Sequence, residues 1–320
     1  MFRWKKLGRI FNPVHDKYTG WIQEYAQCPT PMILSDEVLR VYVACRPARD
    51  GDLLYVSQPG YVDLCRKDIF SVLGVSEEPL LPLGNPGTFD QFGIMPSTLV
   101  QQGKAIYAYY SGWTRMKTVP YTLAIGVAKS VDGGTHFERI GEGPVLTIGP
   151  DDPYFVTGPV VRIVDGVWHM WLLSCKDWKT IAGKAEPIYR LVTATSEDGL
   201  SWKRNASDII PAHTETECQD ICAPFFHKGL WHAFFAWRDP LYRSGKYQLG
   251  YASSADLLSW ERDDSKAGIS LSETGWDSEM MCYPQIIEVD GRVLMFYCGN
   301  DFGREGFGAA ELELSAASSH

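Results

Sequence analysis

The 320 residues predict one all-β domain, residues 1–320, folded as a five-bladed β-propeller. Its blades are four-stranded and antiparallel, and the N-terminal strand closes the ring. Three observations predict this. An apolar run opening at a proline recurs at Pro29, Pro96, Pro159, Pro224 and Pro284, at intervals of roughly 60 to 67 residues, a period that marks a radial array of repeated sheets. Each run leads into a second, aromatic-rich apolar run. Helix signals are nearly absent, and no Pro-, Gly- or Ser-rich linker interrupts the chain.

The elements follow one grammar. Repeat one is the most divergent, with Pro29 to Leu34 and Leu39 to Ala44 as strands. Repeat two reads Met95 to Val100, Ala105 to Tyr110 and Leu123 to Lys129, then the turn Ser130–Gly134 and an outer strand ending at Arg139. Repeat three reads Gly158 to Val164, a hairpin turn at Asp165-Gly166, Val167 to Leu173, a loop, Tyr189 to Thr195, and the outer strand Leu200 to Arg204. Repeat four has Ala223 to Phe226, Leu230 to Trp237, Tyr247 to Ala252 and Leu258 to Arg262. Repeat five has Tyr283 to Val289, Arg292 to Tyr297 and Phe307 to Leu314, and then lacks an outer strand. Phe2-Arg3-Trp4-Lys5-Lys6 resembles the outer strands of repeats three and four. It is placed in the last blade, which removes a raw sheet edge. The Ser–acid–Gly turns before these aromatics are read as structural, since Asp and Gly suit a tight turn. The tail 315–320 is read as disordered.

Composition narrows the function. Hydrophobic residues are 45% and charged residues 22%, ordinary for a globular protein. Net charge is −9 with no basic stripe, which argues against a nucleic-acid partner. No apolar run reaches membrane-span length. Arg3, Lys5, Lys6 and Arg9 are not followed by an apolar h-region, so no signal peptide is read. The eight cysteines are scattered without a CxxC pair, as expected of buried free thiols in a reducing cytoplasm. Neither a metal nor a cofactor is implied. His15, His169 and His232 show no metal-type spacing.

Acidic residues stand ahead of each proline: Glu24, Asp90, Asp151 and Asp152, Glu217 and Asp220, Asp277 and Glu279. In a propeller the first strand of each blade lines the central channel, so acids in register are expected to converge at one rim. Carboxylates packed together split into raised-pKa acids and ionised bases, the pair that glycosidic cleavage needs. The alternative for any single acid is a turn cap. Asp151 and Asp152, in Gly-Pro-Asp-Asp-Pro, and Asp220 are read that way. Arg46, Arg115 and Arg238 follow second strands and suit a carboxylate, a phosphate or a nucleotide diphosphate. Trp113, Trp178 and Trp237 sit where a sugar-stacking platform belongs.

Glu217-Cys218 resembles the Glu-Cys motif of the five-bladed propeller glycoside hydrolases, the superfamily of families 32, 43, 62, 68 and 130. The resemblance covers nearly the whole chain. Further segments, Glu24-Tyr25-Ala26-Gln27, Gly87-Thr88-Phe89-Asp90, Glu217-Cys218-Gln219, Gly275-Trp276-Asp277-Ser278-Glu279-Met280 and Gly299-Asn300-Asp301, are similar to the glycosidase-like proteins of bacterial surface-polysaccharide gene clusters. The resemblance implies Glu217 as general acid, with Asp90 as base or orienting group and Asp277 and Glu279 next in line. Glu24, Gln27, Arg46, Trp113, Arg115, Gln219, Arg238 and Asn300 are the expected substrate-binding residues. Two departures stand out. Trp237-Arg238-Asp239-Pro240 resembles the family's Arg-Asp-Pro motif but follows the Glu-Cys. The Asn-Asp-Pro nucleophile motif is replaced by Ala26-Gln27-Cys28-Pro29. The implied activity is cleavage of a glycosidic or sugar-phosphate bond in surface-glycan metabolism. Nucleotide-sugar processing, phosphorolysis and a non-catalytic sugar-binding propeller are the alternatives. A sugar or nucleotide sugar is the expected partner, and a homo-oligomer is compatible with the sequence.

Overall fold

A computed structural model describes residues 2–15, 20–47, 56–242 and 245–313. They form five four-stranded antiparallel sheets. The first contains β2 (Glu24–Ile33), β3 (Val38–Arg46), β4 (Gln58–Cys65) and β5 (Val72–Val75). The second contains β6 (Gly93–Gln102), β7 (Ala105–Arg115), β8 (Tyr121–Ser130) and β9 (Glu138–Arg139). The third contains β10 (Val156–Val164), β11 (Val167–Ile181), β12 (Lys184–Ser196) and β13 (Lys203–Asn205). The fourth contains β14 (Cys218–His227), β15 (Leu230–Arg238), β16 (Gln248–Ser254) and β17 (Glu261–Arg262). The fifth contains β18 (Cys282–Val289), β19 (Arg292–Cys298), β20 (Phe307–Leu312) and, last, β1 (Trp4–Phe11). The first strands β2, β6, β10, β14 and β18 touch one another in ring order, so the chain is a five-bladed propeller.

Closure runs through the N-terminus. Trp4 pairs with Leu312 and Phe11 with Phe307, so β1 takes the outer position of the fifth blade. Phe2 packs edge-on against Phe234 at 5.4 Å and His232 at 4.8 Å, which pins the closing strand to the fourth blade. Leu314 and the tail 315–320 lie outside the described residues.

The outer turns are built by side-chain caps. Ser130 Oγ accepts the Gly134 N–H at 2.9 Å, Ser196 Oγ that of Gly199 at 2.9 Å, and Ser254 Oγ that of Leu257 at 2.9 Å. Asp198 and Asp256 take the next two N–H groups in their turns. Adjacent blades are tied to these turns: Tyr42 donates to the Gly134 carbonyl and Tyr109 to that of Gly199.

One expected loop is a hairpin. Residues between Leu173 and Tyr189 extend β11 and β12 to a two-residue turn at Ala182-Gly183, φ 51° and 78°. Two successive left-handed residues form the turn that suits the strand twist. Trp178 on this hairpin packs against Tyr121 at 5.5 Å and Phe155 at 5.9 Å, so it supports the hairpin from below. All eight cysteines are free thiols. Among the described residues no helix is long and apolar enough to cross a membrane.

Candidate functional site

The acids ahead of the first strands do not pool at the axis. Each of four is clasped to the outermost strand of its own blade. Asp90 accepts from Arg139 Nε at 2.8 Å and from the Tyr110 hydroxyl at 3.0 Å. Asp152 pairs with Arg204 at 2.9 Å and accepts from Ser174. Asp277 takes Lys6 Nζ at 2.7 Å and the Tyr297 hydroxyl at 2.9 Å. Glu217 takes Arg262 Nη1 at 2.7 Å, Gln219 Nε2 at 3.1 Å and the His213 N–H at 2.9 Å. The cations close a recurring aromatic–any–basic triplet: Phe137-Glu138-Arg139, Trp202-Lys203-Arg204, Trp260-Glu261-Arg262 and Trp4-Lys5-Lys6. In the first blade an indole does the same job, with Trp21 Nε1 donating to the Ser76 carbonyl at 3.2 Å.

Glu217, Asp90 and Asp277, expected to be catalytic, sit in these clasps. Glu217 has no exposed surface, and both carboxylate oxygens are engaged. A group so enclosed has no face to turn to a substrate. Asp90 is equally enclosed and Asp277 nearly so. Gln219 is also structural, accepting from the Leu191 N–H at 3.1 Å and donating to the Ile210 carbonyl at 3.0 Å. Glu24 pairs with Arg304 at 2.6 Å. Glu279 pairs with Lys246, and its N–H and that of Met280 donate to Asn300 Oδ1 at 2.8 and 3.1 Å. Glu279 and Asn300 line a separate polar cavity of ≈ 990 Å³ with Trp276 and Arg304.

The axial cavity has a volume of ≈ 670 Å³ and is lined from all five blades. Strand register explains which residues enter it. Gln27 pairs with Ala44, Met95 with Ser111, Thr157 with Leu173 and Asp220 with Ala236, and these four first-strand positions all line the cavity. Gln27, Arg46, Trp113 and Arg115 are thereby brought together, as four of the expected substrate-binding residues. The Arg46 guanidinium lies over the Tyr25 ring at 4.0 Å and reaches Gln27 Oε1 at 3.4 Å. That of Arg115 lies over Phe92 at 4.1 Å. A Cβ on Gly93 would stand 1.4 Å from Trp113 Nε1, so only glycine admits the indole there. Tyr121, Phe155, Tyr189, Tyr283 and Phe302 supply aromatic wall.

Asp220 is the one carboxylate among the described residues that line this cavity. It is not a turn residue: it lies inside β14, beside a bulge before Cys222. Its Oδ1 accepts the Ile221 N–H at 2.7 Å. Burial pushes its pKa up from 3.8 to about 6, against the pull of its hydrogen-bond donors. A carboxylic acid poised there serves acid–base chemistry near neutral pH. The signal for it was a charged residue inside the apolar strand Cys218-Gln219-Asp220-Ile221-Cys222, since a buried charge is retained only where something compensates it. Arg238 stands behind the cavity wall rather than on it, with Nη2 donating to Glu186 at 3.0 Å. Trp237 packs on His213 at 5.3 Å, away from the axis. Among the described residues no cluster of three or more His, Cys, Asp or Glu is arranged to hold a metal.

The fold is that of the glycoside hydrolase-like five-bladed β-propellers. A solved glycoside hydrolase matches with a TM-score of 0.74 at 17% identity, over 99% of this chain and 94% of that one. A putative glycosidase from Bacteroides thetaiotaomicron matches at 0.69 and 14%, over 96% of each. A thermostable family-43 glycoside hydrolase matches at 0.61 and 13%, over 92% of this chain and 90% of that one. No protein-family model matches the chain. The uncharacterized protein Rv1502 of Mycobacterium tuberculosis is 32% identical over 315 residues, 97% of this chain and 99% of that protein, as is MT1551 of a second strain. The chain belongs to the family of these two proteins.

Proposed function

We propose that the protein is a glycosidase-like enzyme that cleaves a sugar linkage in the axial cavity, with Asp220 as its acid–base group. The observation that carries this reading is the single buried carboxylate of raised pKa facing a concave, aromatic-walled cavity on a glycoside hydrolase-like propeller. Glycosidases ordinarily use two carboxylates, one protonating the leaving group and one acting as base or nucleophile. Here Asp220 takes the base role. It accepts a proton from a water that attacks the anomeric carbon, the bond to the leaving oxygen breaks with its electron pair, and the proton passes from Asp220 to solvent. A leaving group that departs as an anion needs no second acid, and Arg46 and Arg115 on the same wall suit a phosphate, a nucleotide diphosphate or a carboxylate. A place in bacterial surface-glycan metabolism belongs to this reading and rests on the sequence resemblance alone, and a cytoplasmic location rests on the scattered thiols expected of a reducing compartment.

The test is turnover of three substrate sets: nitrophenyl glycosides, nucleotide sugars, and glycosides with inorganic phosphate. Wild type releases product from at least one set, and Asp220→Asn lowers kcat by roughly a hundredfold or more, the scale of a lost acid–base group. Undiminished turnover in Asp220→Asn removes the assignment. A second reading, a sugar-binding propeller without catalysis, is favoured by the lone carboxylate. Saturable sugar binding with no product from any set would select it.

A further inference from the structure

Two segments that the sequence sets apart, residues 275–280 and 299–301, meet in the polar cavity of ≈ 990 Å³ and not at the axis. Asn300 ties them together. Its N–H donates to the Trp276 carbonyl at 2.7 Å and its Nδ2 to the Gly275 carbonyl at 3.0 Å, while its Oδ1 accepts the Glu279 and Met280 N–H groups. A few residues on, the Arg304 carbonyl accepts the Tyr25 N–H at 3.0 Å, which anchors the segment to β2. Between these anchors Asp301 and Phe302 both adopt left-handed backbone, with φ of 52° and 59°. Aspartate visits that region readily, whereas a bulky aromatic there is an outlier. Strain of this kind persists only where the surroundings over-determine it, and it clusters at ligand-binding sites. Its effect here is to set neighbouring residues on two cavities: Phe302 lines the axial one and Asp301 the polar one. The Phe302 ring is steadied edge-on against Tyr247 at 6.0 Å. One strained turn is thus common to the walls of both cavities.

We propose that the polar cavity is a second saccharide site, taking neutral sugar units of a chain whose reacting linkage lies in the axial cavity, with the Asp301-Phe302 turn as the saddle between them. Joining the two cavities rests on the reading of the axial one as the place of cleavage. The polar cavity suits a neutral ligand because its charges largely cancel. Arg9 pairs with Glu305 at 2.5 Å, Arg304 with Glu24 at 2.6 Å, and Glu279 with Lys246. Among the described residues the exposed Asp301 carboxylate takes no side-chain partner, so its lone pairs are open to sugar hydroxyls. An anionic ligand would meet that carboxylate as a like charge. The half-buried Trp276 stacks on Tyr297 at 5.1 Å and lies over Gly308, where a Cβ would come 2.6 Å from the indole. Tyr297 and Gly308 back it from the sheet side, and what remains open of the ring lines the cavity, an apolar surface for the C–H groups of a sugar. The axial wall differs in kind, with Arg46 and Arg115 and a single carboxylate. The substrate is then an oligosaccharide and not a lone sugar. Contacts with its remote units help to position the reacting one, and a wall already fixed by Asn300 binds them with little ordering cost.

The test is binding of the full-length Asp220→Asn protein to an array of neutral and acidic oligosaccharides, from single sugars upward, then calorimetry with the neutral member held best. Adding Asp301→Asn, which keeps the side-chain shape and its tolerance of left-handed backbone, should weaken that ligand by roughly tenfold or more, the scale of a hydrogen bond to a charged acceptor. Adding Trp113→Ala on the axial wall should weaken the same ligand, because one chain occupies both cavities. Arg115→Met on that wall takes its place if Trp113→Ala loses the wild-type near-ultraviolet circular dichroism. Retention of no neutral oligosaccharide, or an affinity unmoved by Asp301→Asn, overturns the second site. An affinity lowered by Asp301→Asn and unmoved by the axial variant overturns the spanning chain. Affinity is read without turnover. Undiminished cleavage by Asp220→Asn would therefore remove the acid–base assignment, while the effect of Asp301→Asn on binding would still decide the second site.

Discussion

Asp220 and Glu217 stand three residues apart and have opposite surroundings. Glu217 is neutralised by Arg262 and sealed, whereas Asp220 accepts the neutral Ile221 N–H and faces a cavity. The difference has a pH signature. A folded-state pKa of about 6 against 3.8 means that the folded protein binds more protons between those values. Stability tied to Asp220 is thus fully present below about pH 4 and is lost as pH rises through about 6, by about 3 kcal/mol in all. Asp220→Asn should remove that fall, measured as urea unfolding free energies of variant and wild type at pH 4 and pH 7. Identical pH dependence in both would contradict the placement. The cavity residues Gln27, Arg46, Trp113 and Arg115 were legible because each flanks a strand end. Asp220 was not, because the prolines do not share one register: Gln27 is two ahead of Pro29 and Met95 one ahead of Pro96, whereas Asp220 is four ahead of Pro224.

Within a blade, the clasp between the acid and the outer strand is the repeated device. The acid period was visible in the sequence, but its partner was not, since the partner lies some 45 to 50 residues onward in the second and fourth blades. A sealed acid and an axial acid leave the same trace in a period of this length. The burial of Asp90 and Arg139 makes the clasp costly to break from one side, because the remaining charge is left unpaired. Asp90→Ala should lose about 3–5 kcal/mol in urea unfolding, and adding Arg139→Met should return part of that loss. The third strand also matters. A Cβ on Gly126 would come 2.3 Å from the Tyr110 ring, whose hydroxyl holds Asp90. Gly126→Ala should therefore cost about 1–3 kcal/mol through overpacking, with a lowered urea midpoint and an unchanged slope.

Across the whole molecule, β1 closes the ring by completing the fifth blade. It was legible because Trp4-Lys5-Lys6 repeats the outer-strand triplet of other blades, and Lys6 completes the fifth clasp position by reaching Asp277. Removing residues 2–11 strips β20 of its partner, uncovers Asp277 and exposes a sheet edge. The truncated protein should unfold at a lower urea midpoint and associate in size-exclusion chromatography. A monomer of wild-type midpoint would refute closure as a source of stability. The central claim is that the axial cavity, and not the rim of clasped acids, takes the sugar. A crystal structure of Asp220→Asn with the saccharide that wild type turns over fastest, or binds most tightly, tests it directly. The account predicts a sugar ring in the axial cavity with an oxygen within hydrogen-bond distance of residue 220. A sugar held in the Glu279–Asn300 cavity with the axis empty would contradict it.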